Sequence, residues 1–195
     1  MSVISSPPSR FSLSEAQQIA KTLYGFKVSV KVLDSERDQN FYLNREDGKK
    51  FVLKISNPAE DVELIKLQVD SLKHISNFDS SIQVPSTIQT IGGKFITRHN
   101  GCFIRLQSFL EGHFIKDIEN PESFLLKEFG AFMGKLDVAF REFGYPDLKR
   151  KWIWDIRNPI NNKPRIGAAR ASFLSNQRIL MIGTDMAVGL SLIHI

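Results

Sequence analysis

The chain has 195 residues, 42% hydrophobic and 24% charged, the balance of an ordinary globular chain of one domain or one domain plus part of another. Its 26 Lys and Arg against 21 Asp and Glu leave a net charge of +5, scattered and without an arginine-rich arm, which argues against nucleic acid as a partner. A single cysteine, Cys102, excludes an intrachain disulfide, and no apolar run reaches the ~20 residues of a membrane span, so the expectation is a cytoplasmic protein with no membrane partner.

Residues 1–10 carry Ser and Pro and read as a flexible lead without the apolar stretch of a secretory signal. Ser12-Leu13-Ser14-Glu15 is a capping-box pattern that opens a helix. Ala16, Ile19, Ala20 and Leu23 fall on one face of it, and Gly25 is placed to stop it. Residues 27–33 alternate, with Val28, Val30 and Val32 on one side, the pattern of a half-buried strand. A polar loop over 35–40 leads to a strand at Phe41-Tyr42-Leu43. Glu46-Asp47-Gly48-Lys49 is a turn, and residues 50–55 form the next strand.

Asn57-Pro58 predicts a helix start, with Asn as the cap and Pro in the first turn. Val62, Ile65, Leu67, Val69, Leu72 and Ile75 continue at near-helical spacing, and His74 reads as a helix-surface residue. Residues 87–91 read as a strand. Asn100-Gly101, between 93–97 and 102–106, is the strongest hairpin signal in the chain. Asn120-Pro121 opens a second long helix toward Phe143, with Phe124, Leu125, Phe129, Phe132, Met133, Leu136 and Phe140 on its apolar side. Trp152-Ile153-Trp154-Asp155 follows, and residues 168–180 have some helical character. The order is helix, three strands, helix, strand and hairpin, then helix: an α+β chain with an antiparallel sheet.

The strand Phe51-Val52-Leu53-Lys54-Ile55 carries a lysine inside an apolar run. Alternate residues share a face, so Phe51, Leu53 and Ile55 point one way and Val52 and Lys54 the other. A buried ammonium is costly unless an anion neutralises it. A nucleotide would meet this pair with its base on Val52 and its phosphates on Lys54. On the pentapeptide alone, an edge-strand lysine that snorkels into water is the simpler account.

Four segments occur in a telling order: Ser35-Glu36-Arg37-Asp38-Gln39-Asn40-Phe41, Val52-Leu53-Lys54-Ile55-Ser56-Asn57-Pro58, Ile104-Arg105-Leu106-Gln107-Ser108-Phe109-Leu110-Glu111-Gly112 and Trp154-Asp155. Together they resemble the aminoglycoside phosphotransferase/choline kinase superfamily, most closely its hydroxylysine kinase branch. The resemblance implies a protein-kinase-like fold: an antiparallel-sheet N-lobe with one long helix over 11–107, a hinge at 108–112 and an incomplete helical C-lobe over 113–195. It implies ATP or GTP with Mg2+ as cofactor, and a small hydroxylated amine, such as 5-hydroxylysine, as acceptor.

The resemblance also implies a set of nucleotide contacts. Ser35, Asp38, Gln39 and Asn40 belong to the loop over the triphosphate, and Lys54 binds the α/β phosphates. In related kinases a helix glutamate holds that lysine; Gln68, fourteen residues after Lys54, is nearest that place. Glu63 either pairs with Lys54 or faces solvent. Gln107, Ser108 and Leu110 form the hinge, with the base read by the Ser108 carbonyl and the Leu110 N–H.

The family's His-x-Asp-x-x-x-x-Asn catalytic loop and metal-binding Asp are absent from this sequence: none of His74, His99, His113 and His194 has Asp two residues later. Residues 186–195 match nothing expected of the large lobe, so the chain reads as C-terminally truncated, with 191–195 resembling translated sequencing-adaptor read-through. A divergent or alternatively spliced terminus is the other account. The expectation is nucleotide binding without turnover by these residues alone. The alternative is a non-catalytic nucleotide-binding or interaction module on the same scaffold.

Overall fold

The computed structural model describes residues 9–35, 37–112, 118 and 123–144. Helix α1 (Leu13–Tyr24) begins at Ser12, whose hydroxyl accepts from the Glu15 N–H while the Glu15 carboxylate accepts from the Ser12 N–H. The capping box is thus complete, and Gly25 closes the helix at φ 72°, a left-handed conformation that glycine adopts without strain. Strands β1 (Val28–Leu33), β2 (Gln39–Arg45) and β3 (Lys50–Ile55) follow, then α2 (Val62–Phe78). After β4 (Thr87–Ile88) come β5 (Thr97–His99), β6 (Cys102–Ser108) and α3 (Ser123–Arg141). The sheet is antiparallel throughout, in the order β1-β2-β3-β6-β4, with β5 also paired to β6.

One face of this sheet is the main core. Phe41, Leu43, Phe51, Leu53, Ile55, Ile104 and Leu106 pack with Ala16, Ile19, Ala20 and Tyr24 of α1. Each large side chain buried there contributes roughly 2 kcal/mol of transfer free energy. Val28 and Val30 join that cluster, but Val32 is 60% exposed, so β1 leaves the core before its end. The β5–β6 hairpin turns through Asn100 (φ 47°) and Gly101 (φ 80°), the consecutive positive φ values that the Asn-Gly pair implied.

Two predicted elements differ. The strand expected over 87–91 ends at Ile88, because Thr90 closes a turn with Gly93 and Lys94. The Ile91 N–H instead reaches the Leu23 carbonyl at 2.8 Å. The helix expected at Asn57-Pro58 starts later, capped by Asp61, whose carboxylate accepts from the Glu63 N–H. Asn57 is fully buried and occupied otherwise: its side-chain oxygen accepts from the Ala59 N–H at 3.0 Å, closing a turn over Pro58.

Helix α3 packs through Ala139 on Ile75 of α2 and on Ile82 in the chain beyond it, with Val84, Phe132, Leu136 and Phe140 around them. Phe124, expected on the apolar side, is 67% exposed. The features expected at Asn120-Pro121, Trp152–Asp155 and 168–180 lie outside the described residues. Among the described residues no helix is long and apolar enough to cross a membrane.

His74 is not a bare surface residue. Its Nε2 stands 2.7 Å from the Ala139 carbonyl; a carbonyl only accepts, so Nε2 carries the proton and donates. The ring also lies 4.9 Å from Phe143 and 6.0 Å from Phe78. His74→Ala should therefore cost about 2 kcal/mol of stability, the sum of one hydrogen bond and lost ring contact. Urea denaturation of the two chains measures this, and equal midpoints would show that the contact carries no energy.

Candidate functional site

The face of the sheet opposite α1 is polar where the other is apolar. Register places Asn40 of β2 opposite Lys54 of β3, and Lys54 opposite Arg105 of β6. These three side chains form one row across three strands, and all are buried: Asn40 and Lys54 are 3% exposed and Arg105 is 1% exposed. The next row on the same face is Tyr42, Val52 and Gln107. It lies about 7 Å along the strands, two residues' rise. The Tyr42 ring meets Phe109 edge-on at 5.1 Å. An aromatic and aliphatic surface thus adjoins a buried cationic one. Ammonium and guanidinium groups removed from water attract phosphate far more strongly than solvated ones do.

The loop before β2 is tied to the chain just beyond Lys54. The Asp38 carboxylate accepts from the Asn57 N–H at 3.1 Å and stands 3.9 Å from the Arg105 guanidinium. The Ser35 hydroxyl donates to the Asp38 carbonyl at 2.5 Å, and the Asn57 amide reaches the Arg37 carbonyl at 3.5 Å. Loop and strand exit are therefore joined by hydrogen bonds, and an ion pair ties them to β6.

Gln39 falls elsewhere. Neighbours on a strand face opposite ways, and Gln39 is turned from Asn40 toward the chain before α1. Its amide exchanges two 2.7 Å bonds with the backbone N–H and carbonyl of Phe11.

On α2 the two candidates separate. Glu63 is exposed and pairs with Lys66 at 2.7 Å, while Gln68 is buried. Five residues at about 100° each put them roughly 140° apart on the helix, so they cannot serve the same side. Of the two alternatives for Glu63, the structure gives the solvent-facing one. The Gln68 side-chain oxygen makes no hydrogen bond among the described residues.

At the end of β6 the Ser108 N–H donates to the Ser86 carbonyl at 2.9 Å. The Ser86 N–H, in return, is accepted at 2.8 Å by the Ser108 hydroxyl and not by the Ser108 carbonyl. Leu110 is exposed. Just beyond it, Glu111 forms an ion pair with Lys50, whose pKa is raised by that hydrogen bond.

Arg105 belongs to the site, and Asn57, expected as a helix cap, belongs to it instead through Asp38. The signal for Arg105 was available: Ile104-Arg105-Leu106 places a cation in an apolar strand just as Leu53-Lys54-Ile55 does. Cys102 is buried, and that burial pushes its thiol pKa up, which suits a packed strand residue and not a nucleophile. Among the described residues no three His, Cys, Asp or Glu side chains stand together as a metal site. No Mg2+ ligands are assigned to them. A cavity of about 100 Å³ beside α1, lined by Ile19, Leu23 and His99 among others, is on the α1 side of the sheet and too small for a nucleotide.

Residues 29–171 match the APH family, described as the phosphotransferase enzyme family. Hydroxylysine kinase of Danio rerio is 28% identical over 180 residues, covering 84% of this chain and 49% of that protein. Amicoumacin kinase hAmiN in complex with AMP-PNP, Ca2+ and Ami superposes with a TM-score of 0.61 at 18% identity, over 74% of this chain and 46% of that one. The microcompartment-associated aminopropanol kinase gives a TM-score of 0.57 at 17% identity, over 79% and 48%. The chain thus spans about half the length of these relatives. The likenesses bear out the α+β, kinase-like fold.

The unpaired Gln68 oxygen yields a signed expectation. A buried acceptor without a donor costs about 1–3 kcal/mol, so Gln68→Leu should leave thermal stability unchanged or raise it. A clear fall in melting temperature would mean that the amide is already engaged in the folded chain.

Proposed function

The chain belongs to the phosphotransferase enzyme family, and from that premise we propose that it forms the nucleotide-binding part of a small-molecule kinase. The observation that carries this reading is Lys54: a lysine buried in a sheet, in one row with Asn40 and Arg105, beside the apolar row of Tyr42 and Val52. In this reading a nucleoside triphosphate, ATP or GTP with Mg2+, lays its base on Val52 and Tyr42. Its α/β phosphates meet Lys54, and the backbone before β2, around Ser35, Arg37 and Asp38, offers N–H groups to the remaining phosphates; Gln39 and Asn40, expected in that loop, instead open β2. Gln68, whose side-chain oxygen has no donor among the described residues, turns it to the Lys54 ammonium only when nucleotide is bound.

The hinge reading draws support from Ser108. Its hydroxyl occupies the Ser86 N–H, so that donor does not compete for the Ser108 carbonyl. In this reading the carbonyl accepts from the base, and the Leu110 N–H donates to it.

The parent reaction would move the γ-phosphoryl group to the hydroxyl of a small amine, with 5-hydroxylysine the acceptor of choice. A base must take that hydroxyl proton. The sequence holds no His-x-Asp-x-x-x-x-Asn to supply one, so these 195 residues are proposed to bind nucleotide without turning it over.

Titration calorimetry with ATP tests the reading. Lys54→Met should weaken ATP binding by at least about tenfold, the value of one charge-assisted phosphate contact, and should leave adenosine affinity unchanged. Equal ATP affinity in both chains would remove Lys54 from the site. Ser108→Ala should behave differently: the freed Ser86 N–H turns to the Ser108 carbonyl and competes with the base. ATP and adenosine affinities should then fall together by about fivefold, the value of one neutral hydrogen bond. A loss confined to ATP would contradict the hinge assignment.

A further inference from the structure

We propose that Asp38 is a positioning residue and not a phosphate ligand: held by Arg105 and the Asn57 amide, it fixes the backbone at Ser35, Arg37 and Asp38 where that backbone can meet the triphosphate. The proposal rests on the nucleotide reading above and goes beyond it by assigning work to Arg105, Asn57 and Asp38.

Three observations carry it. Asp38 is only 8% exposed, and its two carboxylate oxygens are directed inward, one to the Asn57 N–H at 3.1 Å and one toward the Arg105 guanidinium at 3.9 Å. A carboxylate presented to phosphate would repel it, so an acid in a phosphate loop must be neutralised or turned away, and here it is both. Arg105 is 1% exposed and sits two strands from Asn40 in the row, so the Asp38 contact spans β3 and joins loop to β6. Finally, Ser35 and Arg37 are fastened to the same place, through the Ser35 hydroxyl on the Asp38 carbonyl and the Asn57 amide on the Arg37 carbonyl. A pre-set loop spares a nucleotide the ordering cost of a mobile one.

The test compares ATP with AMP, which shares the base and the α-phosphate but lacks the part that the loop would meet. Asp38→Asn keeps shape and keeps an oxygen for the Asn57 N–H while removing the charge that Arg105 faces. It should lower ATP affinity about tenfold, the value of roughly one charge-assisted phosphate contact, with AMP affinity changed less than about twofold. Arg105→Gln should do the same, and Arg105→Lys should restore most of the loss. Amide hydrogen exchange gives a readout independent of nucleotide: in Asp38→Asn, exchange at residues 35–38 and at Asn57 should rise by at least about tenfold while that of β3 stays unchanged.

A wild-type chain that binds neither nucleotide overturns the function proposed above, and this proposal with it. A wild-type chain that binds ATP, with Asp38→Asn binding it equally well, overturns this proposal alone. So does an ATP loss in Arg105→Gln without one in Asp38→Asn, which would make Arg105 a direct phosphate ligand. Variants that lose stability with an unchanged ATP-to-AMP affinity ratio would reduce the contact to a structural one.

Discussion

The burial of cationic side chains within an otherwise apolar sheet is the constraint on which the rest of the structure turns. An isolated ammonium or guanidinium taken from water costs several kcal/mol even after relaxation. The fold meets that cost with register. Because Asn40, Lys54 and Arg105 are directly opposed across β2, β3 and β6, polar groups are gathered into one row rather than dispersed among hydrocarbon. A slip of one residue would turn the row into the α1 core and the core outward. The same residues that make the face polar therefore make the pairing unambiguous.

That register divides the sheet into two functions. Facing α1, Phe41, Leu43, Leu53, Ile55, Ile104 and Leu106 supply the hydrophobic free energy. Facing away, Tyr42, Val52 and Gln107 offer a less buried surface, followed by the charged row. Rigid strands hold functional groups more accurately than loops can. The backbone before β2 is fastened to this frame by Asp38 and Asn57.

Much of the scaffold was legible in the sequence because its signals are local. The capping box, the Gly25 stop, the Asn-Gly hairpin and the bounds of β3 each depend on a few adjacent residues, and each stands in the structure. What depended on distant partners was not. Asn57-Pro58 has the local chemistry of a helix start, but Asn57 is drawn to Asp38 and Arg37, nineteen and twenty residues away, and the helix begins at Val62 instead. Gln39 looked like part of a polar loop, yet Phe11, 28 residues earlier, claims its amide. Glu63 and Gln68 could not be separated until the helix phase was fixed by what α2 packs against. Arg105 could have been noticed by the same reasoning applied to Lys54. Its link to Asp38 could not, since nothing in sequence says which acid meets which base.

The cationic row is also not a bare charge waiting for a ligand. Arg105 faces Asp38, and Lys54 too has interactions within the protein. A phosphate arriving at this face must exchange with groups already present, so its net affinity is a difference between two sets of interactions. That difference favours a polyanion over a monoanion. A single charge gains one contact and displaces another, whereas a triphosphate can take the cation and at the same time collect the backbone N–H groups of a loop already held in place. Under the proposed nucleotide reading, discrimination for the triphosphate comes from the fastening of the loop as much as from the charge on Lys54, with the buried acid kept turned away from the anion.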